Sequence, residues 1–224
     1  MSICGFFGKL PSRGDFLSRQ LPQRLVQRLD DWLQDSLQYC IDADPDWETA
    51  FRDSPCWHFA LGLGSEPGGL AGVMLPSRDR VGRDFPLILA TPLATAPGLA
   101  FPMDWAEGYR QLTLLAHEAV DTPLEPDPLA ERLAMLPAPP AIRGGAIPAM
   151  QPGLRLNLQG NNLSRTLAAF PHSSNLTSGS LWWHHGSAAQ PPCVLVSAGL
   201  PPAQAAHSLW SGDWGDAPWR PIGH

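Results

Sequence analysis

Three apolar runs stand close together in the chain: Trp57 to Gly64, Leu70 to Leu75 and Phe85 to Leu93. Runs of this length, bounded by Gly and Pro, are the pattern of strands buried within a fold. Ser65-Glu66-Pro67-Gly68-Gly69 supplies hairpin chemistry between the first two, and a charged loop, Pro76 to Asp84, joins the second to the third. Helical patterns lie before and after this block. Strands grouped in hairpins with helices on either side specify an α+β fold: a mainly antiparallel central sheet packed by helices in an α/β sandwich, rather than a doubly wound parallel sheet.

The flanking segments fit that plan. Ile3 to Leu10 is short, apolar and aromatic and ends at Pro11, the pattern of another buried strand. From Pro22 to Cys40, Leu25, Leu29, Leu33 and Leu37 recur every four residues, and Val26, Trp32 and Cys40 widen the stripe into a helix face. Asp44-Pro45 reads as the start of a short helix. Asp104 and Glu107 have the spacing of a capping box for a helix to about Val120. Beyond it, Leu154 to Leu158 reads as a strand, Asn157 to Phe170 holds a short helix, and Leu181 to His185 with Val194 to Ala198 read as a strand pair. Pro201-Pro202 then opens a helix through Ala205, Leu209 and Trp210.

Three regions follow: an N-terminal α/β domain over 1–122, a Pro-rich connection over 123–141 with a short helix near Leu129 to Leu136, and a C-terminal part over 142–224. The last is expected to continue the same globular unit, because about 80 residues with few strong helices make a marginal separate core.

Charge and composition exclude several classes. The net charge of −6 lacks the basic footprint of a general nucleic-acid binder. No segment approaches the roughly 20 apolar residues that span a bilayer, and Met1 to Lys9 has no signal-peptide pattern. The four cysteines, at 4, 40, 56 and 193, form no CxxC pair, which suits reduced, buried thiols in the cytoplasm.

Each place where chemistry could sit has a plainer reading. Gly5-Phe6-Phe7-Gly8-Lys9 has the outline of a phosphate loop, but Leu10 follows the lysine and the glycine spacing is wrong; glycines admitting a close neighbour explain it better. Arg13-Gly14-Asp15 matches an adhesion tripeptide by coincidence and reads as a turn. Cys56 and His58 are two apart, so they share a strand face, yet nothing nearby would activate a thiolate. His184 and His185 point to opposite faces and cannot readily share a metal; His117-Glu118 lacks the second His of a helical zinc motif. His172, Ser173, Ser197 and Ser208 have no nucleophile setting, and there is no G-x-S-x-G. No catalytic residue, metal or cofactor is expected. The loop Pro76 to Asp84 carries three Arg and two Asp. It reads either as a self-neutralised solvated loop or as a recognition loop, since Arg pairs bidentately with carboxylate or phosphate.

Several of these segments together resemble one family. Gly5-Phe6-Phe7-Gly8-Lys9-Leu10-Pro11-Ser12-Arg13-Gly14-Asp15-Phe16 is similar to the N-terminal signature of TagF (ImpM) proteins of bacterial type VI secretion systems. A second signature runs through Pro76-Ser77, Asp79-Arg80-Val81-Gly82-Arg83 and Phe85-Pro86-Leu87. Trp32-Leu33, Trp57-His58-Phe59-Ala60-Leu61, Ser180-Leu181-Trp182-Trp183 and Gly199-Leu200-Pro201 also fit. Arg78 and Asp84 depart from the pattern, standing where an apolar and an aromatic residue are expected.

The resemblance implies a non-enzymatic cytoplasmic regulator, a post-translational repressor of type VI secretion that binds the forkhead-associated scaffold Fha. A structural accessory of the secretion apparatus and a Cys or Ser hydrolase are the other readings. A protein partner is thus expected, with no nucleic acid and no direct membrane insertion; nothing in the sequence sets an oligomeric state. The expected partner face is the two turns, with Arg13, Asp15, Asp79, Arg80 and Arg83. A second candidate face is the tail with Trp214 and Trp219, where folding back over the chain's own core is the competing explanation.

Overall fold

The computed structural model describes residues 3–63, 68–122, 124–143, 145–151, 153–158, 162–168, 179–215 and 218–221. Its first part holds β1 (Gly5–Gly8), β2 (Leu17–Arg19), α1 (Gln23–Ala43), α2 (Trp47–Arg52), β3 (Trp57–Gly62), β4 (Gly69–Leu75), β5 (Leu87–Leu93), α3 (Phe101–Asp104), α4 (Ala106–Asp121) and α5 (Pro126–Ala134). The remainder holds β6 (Gly153–Asn157), α6 (Leu163–Ala168), β7 (Ser180–His184), β8 (Cys193–Ser197), α7 (Ala203–Ser211) and β9 (Trp219–Pro221). The strands form one sheet in the order β2-β1-β5-β4-β3-β7-β8-β6-β9. Neighbours pair antiparallel except β6 and β9, which run parallel. The fold is α+β, as the strand grouping implied.

Helices cover both faces. On one, Phe6, Val73 and Leu89 pack against Tyr109 and Leu112 of α4 and Leu129 and Leu133 of α5. On the other, Phe7, Phe59 and Trp182 pack against the Leu25, Leu29 and Leu33 stripe of α1 and against Leu209 and Trp210 of α7. This sandwiching explains why the central strands are apolar at consecutive positions: β3 and β4 are buried along their whole length, so neither face needs polar residues.

β3 pairs with β7 from His58↔Trp183 to Leu61↔Ser180. Strands from both ends of the chain therefore share one ladder. Indole hydrogen bonds cross the same seam: Trp32 Nε1 donates to the Pro201 carbonyl at 2.7 Å and Trp57 Nε1 to that of Leu209 at 2.9 Å. α5 lies within the Pro-rich stretch and packs on β1 and β2.

Local details differ from the expectation. The capping box does not form. Phe101 and Pro102 start a helical turn earlier, so Asp104 ends α3 and cannot cap α4, while Glu107 accepts from Arg110 and Gln111 instead. Asp44 does not cap α2 either; its Oδ1 accepts the Asp46 N–H at 2.9 Å, and the helix begins at Trp47. Three elements were unanticipated: β2, α3 and β9. Each is three or four residues long, too short to show a period, and β2 and β9 exist only by pairing with strands distant from them in sequence or fixed by packing. The turn expected at Ser65 to Gly69 lies mostly outside the described residues, as do His172 and Ser173, but β3 and β4 pair antiparallel up to Gly62↔Gly69.

Candidate functional site

The two turn segments meet at one end of the strands, next to the edge strand β2. β1 and β5 are neighbours, so the turn after β1 and the loop before β5 leave the sheet side by side. The Arg80 N–H donates to the Arg13 carbonyl at 2.9 Å, and the Arg83 guanidinium donates to the Gly14 carbonyl. Gly5 and Gly8 sit where a β-carbon would strike the Arg19 and Pro86 carbonyl oxygens, so close approach of neighbouring chain accounts for the glycines of the first segment.

Asp79 organises the loop from within. Its Oδ1 accepts the N–H groups of Val81 and Arg83, each at 3.0 Å; its Oδ2 accepts Arg83 Nε at 2.7 Å. The ammonium of Lys9, the one lysine of the chain, lies 3.2 Å from the same oxygen, with side chains 6% and 0% exposed. Burial works to raise the Asp79 pKa, but the donors of Arg83 and Lys9 outweigh it and hold the carboxyl well below its usual value. Gly82 completes the turn at φ +91°, in the region glycine occupies without strain. Ser77 Oγ donates to the Lys9 carbonyl at 2.8 Å, and Lys9 Nζ stands over the Phe16 ring at 5.0 Å.

A second set of charges braces the loop. Asp84, with a side chain 4% exposed, takes Arg52 at 2.6 Å and Arg78 at 3.3 Å. Arg78 and Asp84 also form a backbone bridge. The two departures from the family pattern are thus partners, each supplying what the other needs. Arg13 pairs with Glu125 at 2.6 Å, both half-exposed, and Ser12 Oγ donates to the Leu124 carbonyl at 2.8 Å. The start of α5 therefore belongs to the same assembly, a contribution that nothing in the spacing of the sequence signalled.

The sequence-nominated residues divide by position. Asp79 is buried, and Arg83 is consumed in joining the loop to the first turn. Arg13 is exposed but paired. Arg80 and Asp15 are exposed, with no side-chain hydrogen bond or ion pair among the described residues, and Val81 beside Arg80 is 67% exposed. In the tail, Trp219 is buried and donates from Nε1 to the Ala205 carbonyl at 3.0 Å. Trp214 is half-buried, 6.5 Å from the Trp219 ring, with the Arg155 guanidinium 5.0 Å over its face. The tail folds back on the core.

A thiol and an imidazole do meet, though not at Cys56. His184 lies opposite Cys193 in the β7–β8 register, and Nε2 is 3.3 Å from Sγ with both residues buried. Strand register was the signal that could have found this pair. Nδ1 of His184 accepts the Gly186 N–H at 3.1 Å, so Nε2 carries the proton and donates to sulfur. Burial lowers His184 to about 4 and raises Cys193 to about 12. The pair is neutral and lacks the base that would form a thiolate. Burial likewise pushes Cys56 up to about 12. Ser211 Oγ approaches His207 Nδ1 at 3.4 Å but donates to the His207 carbonyl at 3.1 Å, a turn of α7 bonding back on itself. Among the described residues no group of three or more His, Cys, Asp or Glu could hold a metal ion, and no helix is long and apolar enough to cross a membrane.

A family profile described as TagF N-terminal domain, Type VI secretion system-associated, matches residues 5–136. The span takes in both turn segments and the whole of α5. The chain is also similar to the crystal structure of PA0076 from Pseudomonas aeruginosa PAO1. That likeness has 29% identity and a TM-score of 0.71 and covers 99% of this chain and 100% of the other. No curated protein matches it in sequence.

Proposed function

This chain belongs to the TagF family, whose N-terminal domain is type VI secretion system-associated, and from that premise we propose that it is a non-enzymatic cytoplasmic regulator that represses secretion after translation by binding the forkhead-associated scaffold Fha. The observation that carries this reading is the turn assembly. A buried Lys9–Asp79 pair and the Arg83 bridge hold a loop rigid, while the side chains of Arg80 and Val81 are exposed on it and that of Arg80 has no hydrogen bond or ion pair among the described residues. A rigid loop presenting an unpaired arginine loses little conformational entropy on docking, and Arg is a common interface anchor. Binding the inactive scaffold better than the active one would hold the apparatus off to the extent of that difference.

The test separates Arg80 from its framework. Arg80→Ala should weaken capture of Fha about tenfold or more and raise type VI output without changing transcript levels, with an unaltered melt. Arg83→Ala should weaken capture and lower the melt together. Undiminished Fha capture by Arg80→Ala would move the docking face elsewhere, and copurification with sheath or baseplate at fixed stoichiometry would favour a structural accessory.

A further inference from the structure

The outer face of α1 carries charge that the two turns do not use. The stretch from Asp30 to Asp53 holds eight of the chain's 21 acidic residues and one basic residue, Arg52. That arginine is already taken by Glu48 at 2.7 Å and Asp84 at 2.6 Å. Asp31, Asp35, Tyr39 and Asp42 are exposed and recur at helical spacing, so they share one face of α1. Asp31 and Asp42 accept from the Gln27 and Gln38 amides at 2.7 and 2.8 Å, neutral donors that leave both charges uncompensated.

That face leads into a recess of about 430 Å³ between α1, α2 and α7, whose polar lining is Tyr39, Asp44, Gln204, His207, Ser211 and Asp213. No Lys or Arg lines it. Asp44 and Asp213 each give Oδ1 to a backbone N–H, of Asp46 and of Gly215, at 2.9 Å; neither Oδ2 has a hydrogen bond or ion pair among the described residues. Ser211 Oγ is used within the chain, donating to the His207 carbonyl and accepting the Asp213 N–H, each at 3.1 Å. A Tyr hydroxyl, a Gln amide and an imidazole can each meet a donor or an acceptor, so the two carboxylates decide the sign of the charge. The inner end narrows to a crevice that shares Asp44, Ala50, His207 and Ser211 with the recess and is also lined by Trp210. Trp210 is 2% exposed, and its Nε1–H has no acceptor among the described residues, an unmet donor of a kind that buried groups rarely keep. The recess calls for a cation at its carboxylates and an acceptor within, and the peptide bond beside a Lys or Arg residue supplies both.

We propose that this recess and the acidic face of α1 dock a basic segment of a partner protein. One Lys or Arg side chain sits against Tyr39 and pairs with Asp44 and Asp213, a neighbouring backbone carbonyl turns towards Trp210, and further basic residues run along Asp42, Asp35 and Asp31. No residue lining the recess belongs to the two turns, and the assignment does not rest on the Fha reading.

A capped, alternating arginine–alanine octapeptide, its glutamate–alanine counterpart and agmatine, a guanidinium without a carbonyl, test the idea. Each is titrated calorimetrically into the full chain at physiological ionic strength and pH 8, above the imidazole range. The arginine peptide should bind saturably at one site, agmatine about tenfold or more weakly, and the glutamate peptide not at all. Asp44→Asn combined with Asp213→Asn keeps the acceptors for Asp46 and Gly215 and should weaken the arginine peptide about tenfold or more, the scale of a charged hydrogen bond, with the melt unchanged. Asp104→Asn combined with Glu131→Gln removes the same charge at exposed positions outside the recess and should change the affinity by less than about twofold. In a proton–nitrogen correlation spectrum, the Trp210 indole signal, assigned with Trp210→Phe, should move downfield on binding. Both double variants should leave Fha capture intact, and Arg80→Ala should leave peptide binding intact. The absence of saturable binding, equal losses in the two double variants, agmatine binding as tightly as the peptide, or an unmoved Trp210 signal would overturn the assignment.

Discussion

Lys9 Nζ and Asp79 Oδ2 lie 3.2 Å apart with both side chains withdrawn from solvent, and this contact ties the first turn of the chain to the loop before β5. Its two residues are 70 positions apart in the numbering, one beside an apolar strand and the other in a charged run. The pair, with Arg83, makes two surface segments one object.

Removing one partner of a buried ion pair leaves the other charge uncompensated, at a cost of about 3–5 kcal/mol. Asp79→Ala should therefore lower the melting temperature markedly, since Lys9 and two N–H groups lose their acceptor together. Lys9→Met combined with Asp79→Leu should be less destabilised than Asp79→Ala alone. Denaturant titration measures the difference.

Trp219 anchors the tail. Trp219→Ala should cost about 3–5 kcal/mol, the scale of a large aromatic removed from a core, because the ring is 6% exposed and its Nε1 bonds Ala205. Ending the chain after Gly212 should lower stability by at least as much. A truncation that melts normally but no longer captures Fha would instead make the tail an interface.

Acid should weaken the sheet seam. Burial, helped by His185, lowers His58 to about 3, and burial, helped by the same neighbour, lowers His184 to about 4. An unfolded imidazole titrates near 6.5. The unfolded chain therefore binds protons first, and the stability these two residues contribute is complete above about pH 6.5 and declines as pH falls towards their folded values. Between pH 7 and pH 5 each should lose about 1–2 kcal/mol. Melts across that range should show a shallower slope for His184→Asn.

The thiols should be slow. Burial raises Cys40, Cys56 and Cys193 to about 12 and raises Cys4 as well. At pH 8 a disulfide reagent should label the native chain far more slowly than the denatured one, where all four cysteines react. Fast stoichiometric labelling of one native site would revive the hydrolase reading.

The amino-acid pattern alone carried the class of the fold. Four-residue spacing of Leu25, Leu29, Leu33 and Leu37 specifies a helix face, and continuous apolar runs at Trp57, Leu70 and Leu87 specify strands buried on both sides; these are local periodicities and need no partner to be read. Both signatures, including Arg80 and Arg83, were visible as residues. Their division of labour was not. Whether an arginine is a strut or an exposed anchor depends on which carbonyls and carboxylates lie within about 3 Å of it, and Gly14 reaches Arg83 only because β1 and β5 are neighbours. The His184–Cys193 contact, the burial of Trp219 and the short strands β2 and β9 arise in the same way. Tertiary packing decided them, because each depends on a register or an approach between segments whose separation along the chain carries no periodic trace.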